Sequence, residues 1–435
     1  MVVSTISHFH LKFPPKHTKV SIIHPPKPRS QIFCCVSIDP PALDSSNAGK
    51  TDNKQKELRI VFAAGGAGGQ IFPAVAIADE IKIINPDAKI LFIGTDSGME
   101  CTAVPSSGYD FSAIPATPLL RPILSFKNLS IPLKWVKSMI ASWNIMKEFK
   151  PQIVVGTGGY VSFPICLIAA LKGLKMVIQE QSSVPGLANW FLSLVADFVF
   201  VAYNSSVDRF PTDKKKVVVS GNPVRLLLKK NVSKAVARSY FFPRLANVSD
   251  SEVVVLLVLG GSFGANSMNI ALFNIYFQML EQRPNLHIIW ETGVESFDEM
   301  ESLVRNHPQL VLAPFLRSMD MAYTAANLVV SRAGALTCTE LLVTGKPAIL
   351  IPSPNDAEGH QFQNASLMAD LAGSRILTED ELDSTTLRNA IKDIIDNDLL
   401  MAAMSDRALQ AAKPNAGAEI AERVVALVEL ASVNA

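Results

Sequence analysis

LRIVFAAGGAGGQIFPAVAIADEIK, from Leu58 to Lys82, decides the fold. Leu58 to Ala64 is an apolar run of strand length, Gly65 to Gly69 follows it directly, and from Pro73 onward Val75, Ile77, Ala78 and Ile81 fall on one helical face. Strand, glycine turn and helix together make an anion-binding arrangement. Glycine permits positive φ and close approach, and the unpaired N–H groups at a helix start carry partial positive charge. A second strand, KILFIG (Lys89 to Gly94), follows at βαβ distance. The pattern recurs at Ile153 to Gly156 before TGGYVSFPICLIAAL, and at Lys175 to Ile178 before EQSSVPGLANW.

Beyond Asn222-Pro223 and a charged connecting helix the plan restarts with EVVVLLVLGG from Glu252, then SFGANSMNIALFNIY and HIIWETG. LVLAPF, NLVVSRAG and PAILIPS supply further strands, with helices between them. Apolar runs alternating with helical periods indicate parallel sheets covered on both faces. The expected architecture is α/β, two doubly wound Rossmann-like domains in series. Residues 58–224 form the first and 225–412 the second. The tail 413–435 has Ile420, Val424, Leu427 and Val428 at helical spacing, and is either an ordinary terminal helix or one that returns to brace the first domain. Neither glycine turn is GxGxxG with an acidic residue at the right distance, and GxxxxGK[ST] is absent from the sequence. Dinucleotide reductases and P-loop NTPases lose ground accordingly.

Residues 1–57 read differently. Met1 to Ile38 carries five Lys or Arg, no Asp or Glu, and four of the seven His of the chain. No apolar stretch of signal-peptide length precedes its basic, Pro-rich part, so the segment reads as an organelle transit peptide followed by a polar linker. Pro25, Pro26 and Pro28 would interrupt a mitochondrial amphipathic helix, which tilts the address toward a plastid. A disordered tail without purpose is the other reading. The whole chain has 435 residues with 40 basic against 39 acidic side chains, which gives no field for a nucleic-acid backbone. Five scattered cysteines fit neither a disulfide framework nor a zinc site. Ile153 to Leu171 has no charge and about the minimum spanning length, but GTGGYVSFP punctuates it into strand, turn and helix. Asp396-Asn397-Asp398 resembles a metal-binding DxD, yet lies at the end of a charged helix far from the glycine turns, so no metal site is expected.

GGAGGQIFPAVAIA (65–78), GTGGYVSFP (156–164), QEQSSVPGLAN (179–189), GNPVR (221–225), LGGSFGAN (259–266), PFLRSMDMAY (314–323), SRAGALTCTEL (331–341) and HQFQNA (360–365) together resemble the MurG family of glycosyltransferase family 28, in order and along nearly the whole chain after the linker. The resemblance implies a GT-B fold with an interdomain cleft. It also implies inverting transfer of N-acetylglucosamine from UDP-GlcNAc to a polyprenyl-diphosphate-linked muramoyl-peptide, lipid I to lipid II. Carried over residue by residue, the donor would meet Arg225 and Ser262, backbone at Phe315 and Leu316 for uracil, Glu340 for the ribose, and the helix start Ala335, Leu336 and Thr337 for the diphosphate. Gln361 and Asn364 would read the sugar. Glu340 and Ser262 also admit plainer readings, as a helix-dipole partner and an N-cap. The acceptor would lie on Gly68, Gly69, Gly158 and Gly159, near Tyr160, Glu180 and Ser182. Residues 119–140 combine apolar side chains with Arg121, Lys127, Lys134 and Lys137 and no acid, which suits either a membrane surface or a core-packed helix with solvated lysines.

Departures fall on the acceptor side. The family's GGTGGH reads GGAGGQ here, so Gln70 stands where the candidate catalytic histidine would be, and a glutamine amide cannot accept a proton near neutral pH. Ser182 replaces an amide residue, and Phe263 a polar one. Three explanations stay open: the base is dispensable or is Glu180, the transferase is slow, or the protein binds UDP-sugar and lipid without turnover. A related plastid enzyme class, the UDP-galactose:diacylglycerol galactosyltransferases, is a further alternative. The expected location is the plastid stroma, peripheral to the inner envelope or thylakoid membrane.

Overall fold

The structure is a computed structural model and describes residues 57–66, 68–117, 131–229, 232–245, 253–261, 264–356 and 359–433. The proposed address, Ser262, Phe263 and the first part of the 119–140 stretch lie outside them.

The first sheet contains β1 (Arg59–Ala63), β2 (Lys89–Gly94), β3 (Asp110–Ala113), β4 (Ile153–Gly156), β5 (Lys175–Glu180), β6 (Phe198–Val201) and β7 (Val217–Val219). All pairings are parallel, in the order β3-β2-β1-β4-β5-β6-β7. The second contains β8 (Val254–Leu259), β9 (Leu286–Glu291), β10 (Leu310–Ala313), β11 (Leu328–Ser331), β12 (Ala348–Leu350) and β13 (Arg375–Ile376), also parallel, in the order β10-β9-β8-β11-β12-β13. Strand order reverses between β1 and β4 and again between β8 and β11. Doubly wound sheets bind ligands beyond the carboxyl ends of the strands at such points, and each glycine turn follows one of these strands.

Both faces of each sheet are buried. Ile60 and Phe62 enter one core with Ile71, Ile77 and Ile81, while Val61, Ala63 and Val154 enter another with Val161 and Ile165. Phe62 stacks on Phe92 at 5.0 Å. In the second domain Trp290 is fully buried and donates to Asn269 Oδ1 at 2.9 Å.

The first helix begins at Gly68, five residues before Pro73, and runs to Ile84. Gly68 and Gly69 are themselves its first turn, so their N–H groups are among the unpaired donors of a helix start. Pro73 is the sixth helical residue, and Pro164 is likewise the sixth in the helix Gly159–Leu171. Lacking an N–H, each leaves the carbonyl four residues earlier without its helical donor. The uncharged stretch 153–171 is β4, a turn and this helix, and no described helix is long and apolar enough to cross a membrane. Asn397 caps the helix Asp398–Ala411 by accepting from Leu400 N, which accounts for the DND sequence. The C-terminal helix Ala416–Val433 returns to the first domain, where Ile420, Val424 and Val428 join the Ile60–Phe62 core.

Candidate functional site

On the first domain the two glycine turns touch. Gly66 has φ 101° and Gly159 φ 81°, conformations that favour glycine. A Cβ on Gly159 would lie 2.8 Å from both Gly65 O and Gln70 Oε1, so the turns interlock only without side chains there. Gln70 therefore projects its amide oxygen between them, with the Tyr160 ring alongside Gly66. Gly69 stands open, with nothing near its would-be Cβ. Beneath the turn lies Glu100, fully buried, whose carboxylate accepts from Thr95 N (2.9 Å), Thr95 Oγ1 (2.6 Å) and Gly66 N (3.2 Å). A Cβ at Gly65, Gly94 or Gly98 would collide with it. Burial raises the Tyr160 hydroxyl above its ordinary range, and the charge of Glu100 adds to the shift.

Glu180 ends β5. Its carboxylate accepts from Ser182 N (3.1 Å), Gly186 N (3.1 Å) and Asn189 Nδ2 (2.9 Å), so it holds the 181–189 loop in shape. Burial pushes this carboxyl up, opposed by those donors and by His360 across the cleft. Ser182 also belongs to that loop, its carbonyl accepting from Ser206 Oγ.

The domains meet at Asn222. It accepts from Gln179 Nε2 (2.9 Å) and donates to Gln181 O and Thr339 Oγ1, both at 2.9 Å. Asn364, expected at the donor sugar, is a second tie: its Oδ1 accepts from Ser183 Oγ at 3.1 Å and its Nδ2 donates to Ala333 O. Gln361 is half-buried and accepts from Ser353 N at 3.1 Å.

The donor-side residues gather round Glu340. Arg225 Nη2 donates to its Oε1 and Tyr323 Oη to its Oε2, each at 3.0 Å. Burial pushes the Glu340 carboxyl up, and the ion pair with Arg225 is the main opposing influence. The Arg225 guanidinium also lies 4.9 Å over the Phe72 ring, so one cation spans both domains. Glu340 is in the helix Ala335–Val343, whose start, Ala335, Leu336 and Thr337, is accessible and follows β11. Phe315 is partly exposed and Leu316 buried just past β10. Of the expected donor residues, those described thus come to one end of the second sheet, with Asn364 drawn into the interface.

Sequence reasoning passed over Glu100, Asn222, Tyr323 and Glu291. The three glycines that enclose Glu100 converge only in the fold. Glu291 had a readable sign: it is a carboxylate ending an apolar strand, at the sheet edge where such folds bind ligands.

Two doubly wound domains facing a cleft, each with its glycine turn at the switch point, define the GT-B class. The profile of the glycosyltransferase family 28 N-terminal domain matches residues 60–201, and that of the family 28 C-terminal domain matches 255–423. A protein of Salinibacter ruber, named UDP-N-acetylglucosamine--N-acetylmuramyl-(pentapeptide) pyrophosphoryl-undecaprenol N-acetylglucosamine transferase, is 37% identical over 85% of this chain and 97% of its own. The Flavobacterium psychrophilum protein of the same name is 36% identical over 86% and 99%. The crystal structure of Acinetobacter baumannii MurG superposes with a TM-score of 0.64 at 27% identity, covering 84% of this chain and 98% of that one. The chain belongs to the MurG family.

Proposed function

We propose that this chain transfers N-acetylglucosamine from UDP-GlcNAc to the 4-hydroxyl of a lipid-linked muramoyl-peptide, the lipid I to lipid II step of peptidoglycan synthesis. The observation that carries the reading is the buried Arg225–Glu340–Tyr323 cluster beside an accessible helix start, set across the cleft from the interlocked glycine turns. The Glu340 carboxyl, oriented by Arg225 and Tyr323, has oxygens to accept hydroxyl hydrogen bonds. The N–H groups of Ala335, Leu336 and Thr337 meet the charge that develops on the leaving diphosphate, with no metal assigned to that role. Gly68, Gly69, Gly158 and Gly159 offer backbone to the acceptor's diphosphate, and Gln70 orients the attacking hydroxyl without taking its proton.

Single-turnover transfer to a lipid I analogue tests this, with the native protein and Gln70→His. Product is expected from both, with the histidine form faster by about ten-fold or more, since a general base typically contributes about 10²–10⁴. No product from either form while UDP-GlcNAc still binds would leave a binding protein.

The same reading takes the protein to a membrane surface. The helix Ile131–Phe149 buries Ser138, Ser142 and Met146 and exposes Leu133, Val136 and Ile140 beside Lys134 and Lys137. Trp135 stacks on Phe163 at 5.1 Å, and Lys172 Nζ lies 3.8 Å over Trp143. Leu187 and Phe191 are exposed on the short helix Leu187–Leu192. Apolar side chains with flanking ammonium groups fit an anionic lipid surface. The basic, acid-free segment ahead of the family match supports a plastid stromal location, peripheral to the inner envelope or thylakoid.

A further inference from the structure

A line of buried polar groups runs from one half of the cleft to the other. Thr157, in the second glycine turn, donates its hydroxyl to Gln70 O at 2.8 Å. Its own carbonyl accepts from Gln181 Nε2 at 2.7 Å, and that amide also donates to Gln179 Oε1 at 2.6 Å. Gln179 Nε2 donates in turn to Asn222 Oδ1 at 2.9 Å, and Asn222 Nδ2 donates to Gln181 O and to Thr339 Oγ1, both at 2.9 Å. Thr339 Oγ1 ends the line by donating to Ala335 O at 3.0 Å. Thr157, Gln179, Gln181, Asn222 and Thr339 are all buried. Gln179, Asn222 and Gln181 close a ring in which each donates to the next, and the Asn222 amide has its oxygen and both its N–H groups engaged. Inside a protein such a network is directional, and deleting one member strands a buried donor or acceptor.

We propose that Asn222 is a positioning residue for transfer, which through Thr339 on one side and Gln179 and Gln181 on the other holds the donor helix start in register with the acceptor turn. The ends of the line are the reason. Gln70 stands at the attacking hydroxyl, and Ala335 opens the helix that meets the leaving diphosphate. Inverting displacement requires the hydroxyl to approach opposite the departing group, so the spacing of these two backbones sets the reaction geometry. The two substrates rest on different domains, and a misplacement of about 1 Å can cost about 10²-fold in rate. Asn222 lies just past β7, where the chain leaves the first domain, so it sits at the pivot between the two half-sites. The inference rests on the transferase reading above.

Single-turnover transfer at saturating UDP-GlcNAc and lipid I analogue tests it, beside calorimetric titration with UDP, in the full native chain, Thr339→Val, Thr339→Ser and Asn222→Ala. Valine removes the hydroxyl at nearly constant volume, and serine keeps it. The valine form is expected to bind UDP within about three-fold of native yet to transfer about ten-fold more slowly, with serine restoring the rate to within about three-fold. Asn222→Ala is expected to slow transfer by about 10²-fold, and adding Thr339→Val to it to cost little more, because both remove one shared contact. A valine form at the native rate, whatever its melting temperature, a serine form as slow as valine, or two losses that simply multiply would overturn the proposal. If Asn222→Ala does not fold, the Thr339 pair decides alone. Native protein that makes no product would sink the transferase reading instead, and amide exchange across residues 157–160 then decides the positioning role. Faster exchange on that first-domain turn is expected in Thr339→Val and not in Thr339→Ser, and exchange unchanged in both would overturn it.

Discussion

Glu100, Glu180 and Glu291 are buried at or just past strand ends, and their partners separate their roles. Glu100 and Glu180 each accept from three donors and so fix the loops around them. Glu291 is set apart by burial, which raises its carboxyl, with the charge of Glu340 adding to the shift. Its carboxyl stands near 7 in the folded chain against an ordinary 4.5, so between those values the native state holds more protons than the unfolded one. Stability is therefore greatest below about 4.5 with respect to this group, and is lost as pH rises through about 7. The loss reaches at most ~3 kcal/mol. Glu291→Gln is expected to raise the melting temperature distinctly more at pH 8 than at pH 5, by differential scanning calorimetry. Equal shifts at both would mean the carboxyl is not held neutral. The nearness of Arg225 and Glu340 was legible because GNPVR and SRAGALTCTEL assign both to one expected site, and the two pair in the fold. The tie from Ser183 to Asn364 was not, because it spans 181 positions of sequence, and the donors to Glu180, though local, meet it only once their loop has folded.

At the scale of elements, most apolar strand runs were readable, while β3 (DFSA) and β13 (RI) carry too few apolar residues to stand out. The first helix start was obscured by Pro73, which ordinarily marks a beginning and here lies inside. The helix Ile131–Phe149 presents two unlike faces. Ser138, Ser142 and Met146 face inward, with Met139, Ile145 and Phe149 partly buried against the first-domain core, while Leu133, Val136 and Ile140 are exposed. Replacing Val136 and Ile140 together by glutamate removes two exposed apolar side chains and adds repulsion. Cosedimentation with anionic vesicles is expected to weaken by about a hundred-fold, from ~1.5 kcal/mol per side chain. UDP affinity is expected to stay unchanged. Vesicle binding that survives both substitutions would assign the surface to another use.

Across the whole molecule, the two domains are joined by more than their connector. The C-terminal helix lies on the first domain from its start: Lys413 Nζ, just ahead of it, donates to Val219 O of β7, Gly417 allows close approach to Glu80, and Ile420, Val424 and Val428 enter the core. Asn222, through Gln181 O and Thr339 Oγ1, and the Arg225–Phe72 contact tie the two domains directly. Without residues 1–38 the chain holds 35 basic against 39 acidic side chains, a net charge of −4, so the small overall charge of +1 conceals two parts of opposite sign. Segregated positive charge with Ser, Thr and Pro and no acid suits an import address better than a fold or a ligand site. The full chain offered to isolated chloroplasts is expected to become protease-protected and shortened, and the chain beginning at Leu58 to remain outside. Protection of both forms alike, or of neither, would remove the plastid assignment while leaving the transferase reading of residues 58–435 untouched.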